Sequence, residues 1–151
     1  FAFPFYGVIY DQVWVHANGF LSFDRGYPAS QAAVNGCVPS LEAPDGAIYA
    51  LWDDLDPSRG GQVFFRNVED QYVAVEWRDV PRRGGGGLNT FQVLLWPDGR
   101  VLMQYQAVAE PTSATVGLEN WDNTMGWQVT CNGSGSPPQP GRAWLFLTAA
   151  P

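Results

Sequence analysis

Hydrophobic and polar residues alternate over short stretches along most of this chain. Within residues 72–78, Val73, Val75 and Trp77 alternate with small or charged residues, which is the two-residue period of a strand with one buried face. Other short runs rich in apolar residues lie at 13–16, 20–23, 48–52, 62–66, 90–96, 100–106, 114–119, 126–130 and 143–148. No segment holds the 3.6-residue apolar period of a helix.

Turn residues separate these runs at short intervals. Asn18-Gly19 favours a tight hairpin because both residues accept positive φ angles, and Pro97-Asp98-Gly99 is an equally strong turn signal. About ten short strands at this spacing predict an all-β fold, an antiparallel β-sandwich or jelly roll. We expect residues 1–151 to form one domain.

Three segments interrupt the strand pattern. Residues 25–45 are predicted to form a long loop that holds Cys37, and residues 81–88 place two arginines and four glycines at a hairpin tip. Residues 133–141 read GSGSPPQPG, which is typical of a linker. Because a hydrophobic strand follows at 143–148, we interpret 133–141 as a surface loop of the same domain.

The charge of the chain excludes several classes of partner. All 8 positive charges are arginines, the net charge is -7 and the isoelectric point is near 4.4. Nucleic-acid binding needs a basic surface, so we expect no nucleic-acid partner. The same charge disfavours anionic membranes, and no apolar run approaches the roughly 20 residues of a membrane span. We therefore expect no membrane insertion.

The only two cysteines, Cys37 and Cys131, are each flanked by loop-forming residues. We predict a disulfide between them, which would join positions 131 − 37 = 94 apart and contribute about 4–5 kcal/mol in the chain-entropy model. Disulfides persist in oxidising compartments, so this bond predicts a secreted or cell-surface protein. The alternative is two free thiols in a cytosolic protein. Asn132-Gly133-Ser134 is also a glycosylation sequon, which marks Asn132 as a candidate modification site.

An apolar strand ends in a dense group of carboxylates: Asp53, Asp54 and Asp56. Such a density of negative charge is unfavourable unless a cation, an arginine or water offsets it. Extracellular proteins commonly use Ca²⁺, which accepts several carboxylate and carbonyl oxygens in flexible geometry. We predict a Ca²⁺ site here, helped by Glu119 or Asn120. Two alternatives stay open, a solvated turn and neutralisation by an arginine, namely Arg59, Arg78 or Arg82.

Residues suited to catalysis are few. His16 is the only histidine, and the chain has no Gly-x-Ser-x-Gly nucleophile motif. Glycoside hydrolysis needs two carboxylates roughly 5–10 Å apart across a cleft. Glu76 and Asp79 are three positions apart, which regular pleating would place on opposite faces of a strand. We predict no catalytic residues, with a carbohydrate-active enzyme as a minor alternative.

Aromatic residues make up 15% of the chain and fall into two groups. One group is predicted to fill the core: Phe3, Phe5, Phe20, Phe23, Phe65, Trp77, Phe91 and Tyr105. The other lies on the opposite parity or in loops and predicts a binding surface: Trp14, Trp96, Trp121 and Trp127. Exposed tryptophans beside carboxylates and amides are common where modules bind sugars or proteins. The alternative is that these tryptophans cover the rim of the core.

Several segments together resemble a known extracellular domain. They are FPFYG at 3–7, VWVHANGFLSF at 13–23, ALWDDLD at 50–56, TFQV at 90–93 and ATVGLEN at 114–120. In this order they resemble the nidogen-type domain and the similar accessory modules of secreted bacterial subtilisin-like proteases. The resemblance implies an extracellular, mostly β, non-catalytic module for adhesion or matrix association. It transfers no catalytic residue.

Two functions follow as predictions. The first is a non-catalytic extracellular module that binds an extracellular protein or a glycan. The second is a structural subunit that assembles with copies of itself, because the chain has apolar, strand-like segments at 1–5 and 144–147. Such segments can complete the sheet of a neighbouring subunit by strand addition. The alternative is that both segments pair within their own sandwich.

Overall fold

The computed structural model describes residues 1–23, 27, 32–42 and 44–148, which form strands and one three-residue 3-10 helix, Pro57–Arg59. The strands are β1 Phe3–Phe5, β2 Val8–Tyr10, β3 Trp14–His16, β4 Phe20–Ser22, β5 Ala47–Trp52, β6 Gln62–Val68, β7 Tyr72–Pro81, β8 Leu88–Leu95, β9 Arg100–Ala107, β10 Thr115–Glu119, β11 Gly126–Cys131, β12 Ser134–Gly135 and β13 Ala143–Leu147. Within these ranges, no helix has the length and apolar character needed to cross a membrane.

The strands form two antiparallel sheets and a separate β1–β2 hairpin. The six-stranded sheet has the order β12-β11-β10-β5-β4-β3, and the five-stranded sheet has the order β13-β9-β8-β7-β6. The predicted all-β sandwich is confirmed. The described residues form 13 strands rather than about ten: β1 lies within the strand-like segment predicted at 1–5, and β2 and β12 are the additional strands, three and two residues long. Such strands are too short for alternation to reveal them.

The main core lies between the two sheets. The six-stranded sheet contributes Ile48, Val116 and Leu118, and the five-stranded sheet contributes Trp77 and Phe91, all of them buried. Stacking of the Trp77 and Phe91 rings, with centroids 4.9 Å apart, adds to their hydrophobic burial. Alternation along β7 and β8 therefore buries one face of each strand, as the sequence predicts.

A β-bulge in β5 divides its side chains between two clusters. The N–H groups of Ala50 and Leu51 both donate to the carbonyl oxygen of Gly19, at 3.2 and 2.9 Å. The extra residue puts Leu51 with Ala50 in the main core, whereas Tyr49 and Trp52 stack on the outer side, with ring centroids 4.9 Å apart. Both faces of β5 are thus buried.

The outer cluster also contains residues from the predicted long loop at 25–45. Ala32 and Val38 are buried there, and the indole Nε1 of Trp52 donates to the Ala32 carbonyl oxygen at 2.8 Å. Residues 32–42 contain no strand, in agreement with the loop prediction, while 25–26, 28–31 and 43 lie outside the described residues. The described residues of this loop pack against the outer face of the six-stranded sheet.

The two apolar terminal segments pair within the chain. β1 pairs with β2, and Phe3 and Phe5 are buried in the main core. β13 pairs with β9 at the edge of the five-stranded sheet. The two segments also meet, because the Tyr6 N–H donates to the Thr148 carbonyl oxygen at 2.8 Å. Within the described residues, the structure therefore follows the alternative in which both segments belong to their own sandwich.

Candidate binding surface at one end of the sandwich

The four tryptophans predicted to form a binding surface differ in exposure. Trp121 and Trp127 are exposed by 60% and 65%, whereas Trp14 and Trp96 are half-buried. Trp96 lies against Arg100, whose guanidinium carbon is 4.9 Å from the ring centroid. The four tryptophans do not form one patch, because Trp14 and Trp121 line two neighbouring cavities near the β1–β2 hairpin and Trp96 and Trp127 line neither of them.

The first cavity, of about 310 Å³, lies between the β1–β2 hairpin and the ends of strands from both sheets. Its lining includes three rings and three polar side chains: Phe1, Trp14, Phe65, Asp11, Gln12 and Asn67. Amides and a carboxylate beside aromatic rings can bind a ligand that has both polar and apolar faces. Tyr10 and Phe23 complete one wall of this cavity.

The second cavity continues from the first. Tyr10 and Phe23 line both, and their rings stack with centroids 4.4 Å apart. Asp45 and Trp121 line the far side of the second cavity, of about 430 Å³. Burial raises the pKa of the Tyr10 phenol, so its hydroxyl is a neutral hydrogen-bonding group at physiological pH. We call the two joined cavities the aromatic end.

Phe65 corrects one prediction. The sequence assigned it to the core, and the other seven rings of that group are indeed buried, but Phe65 is 57% exposed. It pairs with Val75 and so belongs to the inward-facing parity of the sheet. However, β6 is the edge strand of its sheet, and the Phe65 ring lines the first cavity. No local pattern reveals which inward position lies at an edge.

The acidic turn after β5 has internal partners. The Asp53 side chain is 5% exposed, and its Oδ2 lies 2.8 Å from Nε of Arg82. Ser113 Oγ donates to the same oxygen, and the Asp54 N–H donates to Oδ1 at 2.7 Å. Arg82 is one of the arginines predicted as an alternative to a cation. Asp53 therefore already has its charge neutralised and both of its oxygens engaged by protein groups.

Of the other predicted cation ligands, Asp56 has a hydrogen-bond partner of its own, and Glu119 and Asn120 lie away from the acidic turn. Asp56 accepts hydrogen bonds from the N–H and Oγ of Ser58, which lower the pKa of its carboxyl. Glu119 pairs with Ala47, at the opposite end of β5 from the acidic turn. Asn120 is buried beside Glu119, where its Oδ1 accepts from the Met125 N–H.

These contacts do not fit a shared Ca²⁺ site. In the described part of the chain, no three His, Cys, Asp or Glu residues lie together as a group that could hold a metal ion. The three aspartates follow one end of β5, whereas Glu119, predicted with Asn120 as a possible further ligand, pairs with the residue at its other end. A Ca²⁺ site in this turn stays a prediction.

Glu119 instead holds the long loop on the sheet. Its Oε1 accepts from the Ser40 N–H at 2.6 Å, and its Oε2 lies 3.1 Å from the Tyr49 hydroxyl. Burial raises the pKa of Glu119. Burial, followed by the nearby Glu119 charge, raises the pKa of Tyr49.

The predicted disulfide is confirmed. Cys37 and Cys131 are bonded, with 5.3 Å between their Cα atoms, and the bond joins the long loop to β11. The next residue, Asn132, is exposed and has a φ of 47° in the turn to β12. Its Oδ1 accepts from Asn35 Nδ2 at 3.0 Å. Glycosylation at Asn132 stays a prediction.

The single histidine is packed into the sheet. His16 lies in β3, its ring stacks on Phe20 with centroids 4.1 Å apart, and its Nε2 is 2.8 Å from Ser22 Oγ. Burial lowers the pKa of His16, which keeps the imidazole neutral at physiological pH. The ring contact with Phe20 and the contact with Ser22 are sufficient to explain a structural role for His16.

Comparison with known proteins gives one family. A family model described as NIDO related matches residues 1–140, which include β1 to β12 and both cavities of the aromatic end. No curated protein and no solved structure matches the chain. The match extends beyond residues 3–120, on which the resemblance read from the sequence rests.

Proposed function

The chain belongs to the NIDO-related family, and on this premise we propose that it is a non-catalytic extracellular module that binds a protein or a glycan through its aromatic end. The observation that carries the proposal is the exposure of Phe65, whose ring lines a cavity that also contains Trp14. Aromatic rings supply much of the affinity in recognition sites because they desolvate a large area at low entropic cost.

Two observations support the extracellular location. The family is of the nidogen-related kind, and the Cys37–Cys131 disulfide fits an oxidising compartment. The non-catalytic part of the proposal rests on how the candidate catalytic groups are engaged. His16 is packed against Phe20, and both carboxylate oxygens of Glu76 accept from Arg78, at 2.8 and 2.9 Å.

Binding to arrays of matrix proteins and glycans tests the proposal. Residues 1–151 are applied as the wild type and as Phe65→Ala and Trp121→Ala variants, which each remove one ring from the aromatic end. We expect each variant to weaken binding about tenfold or more, since truncated aromatic anchors commonly cost over 1 kcal/mol.

Trp127→Ala is the matched control. Trp127 is as exposed as Trp121 but lines neither cavity of the aromatic end. It should keep the wild-type affinity. Two results would count against the aromatic end as the binding site: no binding of the wild type on either array, or an equal loss of affinity in Trp127→Ala.

Self-assembly into a filament or surface layer stays a second prediction. The prediction rests on two strand-like terminal segments, and both of them pair within the chain. Sedimentation over a range of concentrations tests it. A constant mass of 16.6 kDa excludes obligate assembly, whereas growth with concentration supports it.

A further inference from the structure

The outer face of the five-stranded sheet carries a groove that shares one lining residue, Phe65, with the aromatic end. Two cavities of about 320 and 550 Å³ share Glu76 and Gln92 and so form one groove across the strands. One row of paired residues follows it over all the strands: Phe64, Glu76, Gln92, Gln104 and Ala143. At about 4.8 Å per strand, this row is roughly 19 Å long.

Two β-bulges adjoin the groove beside Thr90. β7 has an extra residue between Trp77 and Val80. β9 has one between Tyr105 and Ala107, which pair with Phe91 and Thr90. Asp79, in the first bulge, has a φ of 54°. Its N–H donates to the Thr90 hydroxyl oxygen, and the Thr90 hydroxyl donates to Asp79 Oδ1. Bulges bend a sheet and are common beside binding sites. The regular pleating assumed from the sequence therefore fails here.

The groove is basic although the protein is acidic. Its lining contains three arginines and one carboxylate, namely Arg66, Arg78, Arg142 and Glu76. Asp79 adjoins Arg78 but is not part of the lining. The whole chain has a net charge of -7 and only 8 positive residues, so this concentration of arginine is local. Arginine favours carboxylates and other flat or multidentate anions.

Amide groups and an aromatic surface complete the groove. Gln92 Nε2 donates to Gln104 Oε1 at 2.6 Å, which uses one donor and one acceptor of the pair. The remaining amide atoms can bond to hydroxyl groups, which both donate and accept. At one end, the Arg78 guanidinium carbon lies 4.6 Å from the Phe64 ring centroid and forms a stacked pair with it.

We propose that this groove binds an anionic polysaccharide, with its acidic groups on Arg66 and Arg142 and its hydroxyls on the Gln92–Gln104 pair. A polysaccharide offers anions and hydroxyls along one extended chain, and the groove offers two amides along its row of paired residues with arginines beside that row. An acidic peptide is a poorer fit, because peptides bind sheets chiefly by pairing along an edge strand. This groove runs across the strands.

Calorimetric titration of residues 1–151 with oligogalacturonate tests the proposal. Dextran of equal length supplies hydroxyls without charge, and polyglutamate supplies carboxylates without sugar. We expect binding of oligogalacturonate that weakens with added salt, and much weaker binding of the other two. Arg142→Gln and Arg66→Gln should each reduce the affinity about tenfold, the usual effect of losing one charge-assisted hydrogen bond.

Two further variants define the site. Arg100→Gln makes the same charge change outside the groove, where Arg100 pairs with Asp98 at 2.8 Å, and it should keep wild-type affinity. Gln104→Met removes an amide without changing charge, and it should weaken oligogalacturonate binding. Melting temperatures check that every variant is folded. Absence of wild-type binding, equal affinity for dextran or polyglutamate, or equal loss in Arg100→Gln would each overturn the proposal. Because none of these variants alters the aromatic end, the result is independent of the proposed function.

Discussion

The Tyr49 hydroxyl lies between two possible acceptors, one of them on Glu119. The Tyr49 hydroxyl lies 2.5 Å from the Pro44 carbonyl oxygen and 3.1 Å from Glu119 Oε2. A phenol has one proton, so it cannot donate fully to both oxygens. The Pro44 carbonyl oxygen is the nearer acceptor, and burial raises the pKa of the neighbouring Glu119 carboxyl.

We predict that Glu119 makes stability depend on pH. An acid whose folded pKa is raised binds its proton more tightly in the folded state, so its stabilisation is full at low pH. The free energy of unfolding should fall as pH rises from the ordinary value of 4.5 through the raised pKa. In Glu119→Gln the neutral amide imitates the protonated acid, and this fall should disappear.

Urea unfolding at a series of pH values measures the effect. Glu69→Gln, at an exposed carboxylate, is the control and should keep the wild-type profile. Parallel profiles for wild type and Glu119→Gln would show that Glu119 does not titrate in this range.

The Asp53–Arg82 pair leads to a second prediction at the residue scale. Removing Arg82 would leave a carboxylate that is only 5% exposed without its cation. Arg82→Gln should therefore lower the free energy of unfolding by about 3 kcal/mol. Arg83→Gln, at the exposed neighbouring position, should have little effect.

Urea unfolding of the wild type with added Ca²⁺ and with a chelator should give the same free energy of unfolding. Stabilisation by Ca²⁺ would restore the cation site predicted from the sequence.

At the scale of elements, alternation and turn residues predict ten of the strands but not their irregularities. Residues 72–78 alternate clearly and form part of β7. The bulge at Ala50 and Leu51 leaves no mark in the sequence, because it arises where two N–H groups share the Gly19 carbonyl oxygen. That bulge decides that Trp52 faces the long loop. The groove was missed for the same reason, since two bulges and a five-strand register place its residues together.

Gly19 gives the prediction for this scale. It has a φ of 81°, and a Cβ there would lie 2.1 Å from the Leu51 carbonyl oxygen. Gly19→Ala should lower the free energy of unfolding by about 2 kcal/mol or more, because backbone strain adds to the clash. Gly84→Ala is the matched control, since a Cβ at Gly84 meets nothing within 4 Å. Thermal melts of both variants should differ clearly, and equal melting temperatures would contradict the close approach.

At the scale of the whole molecule, contacts between distant segments can be predicted from the sequence only in part. The Cys37–Cys131 bond was predictable because the chain has two cysteines. Arg82 was one of three arginines predicted as a partner for the acidic turn, but the contact of Asp53 with Ser113 was not predictable, because Ser113 is distant in sequence. Likewise, the aromatic end gathers Phe1, Trp14 and Phe65 from three separate segments. Fold class is thus set by local patterns, and the site by contacts between distant segments.

The disulfide gives the last prediction. Replacing Cys37 and Cys131 by serine should lower the free energy of unfolding by roughly 4–5 kcal/mol, because it frees a long loop in the unfolded chain. Urea unfolding of the double variant measures this loss, and reduction of the wild type should reproduce it. A loss below about 1 kcal/mol would show that the outer cluster holds the long loop without the covalent bond.

The contact between the β1–β2 hairpin and Thr148, the residue after β13, has a topological consequence. The Tyr6 N–H reaches the Thr148 carbonyl oxygen, and Thr148 Oγ1 donates to the Pro4 carbonyl oxygen at 3.0 Å. The path of the chain through the sandwich is therefore almost a closed circle, which a short linker can complete. The chain can then be reopened at the exposed glycine run, 84–87, to give a circular permutant in which every strand keeps its neighbours.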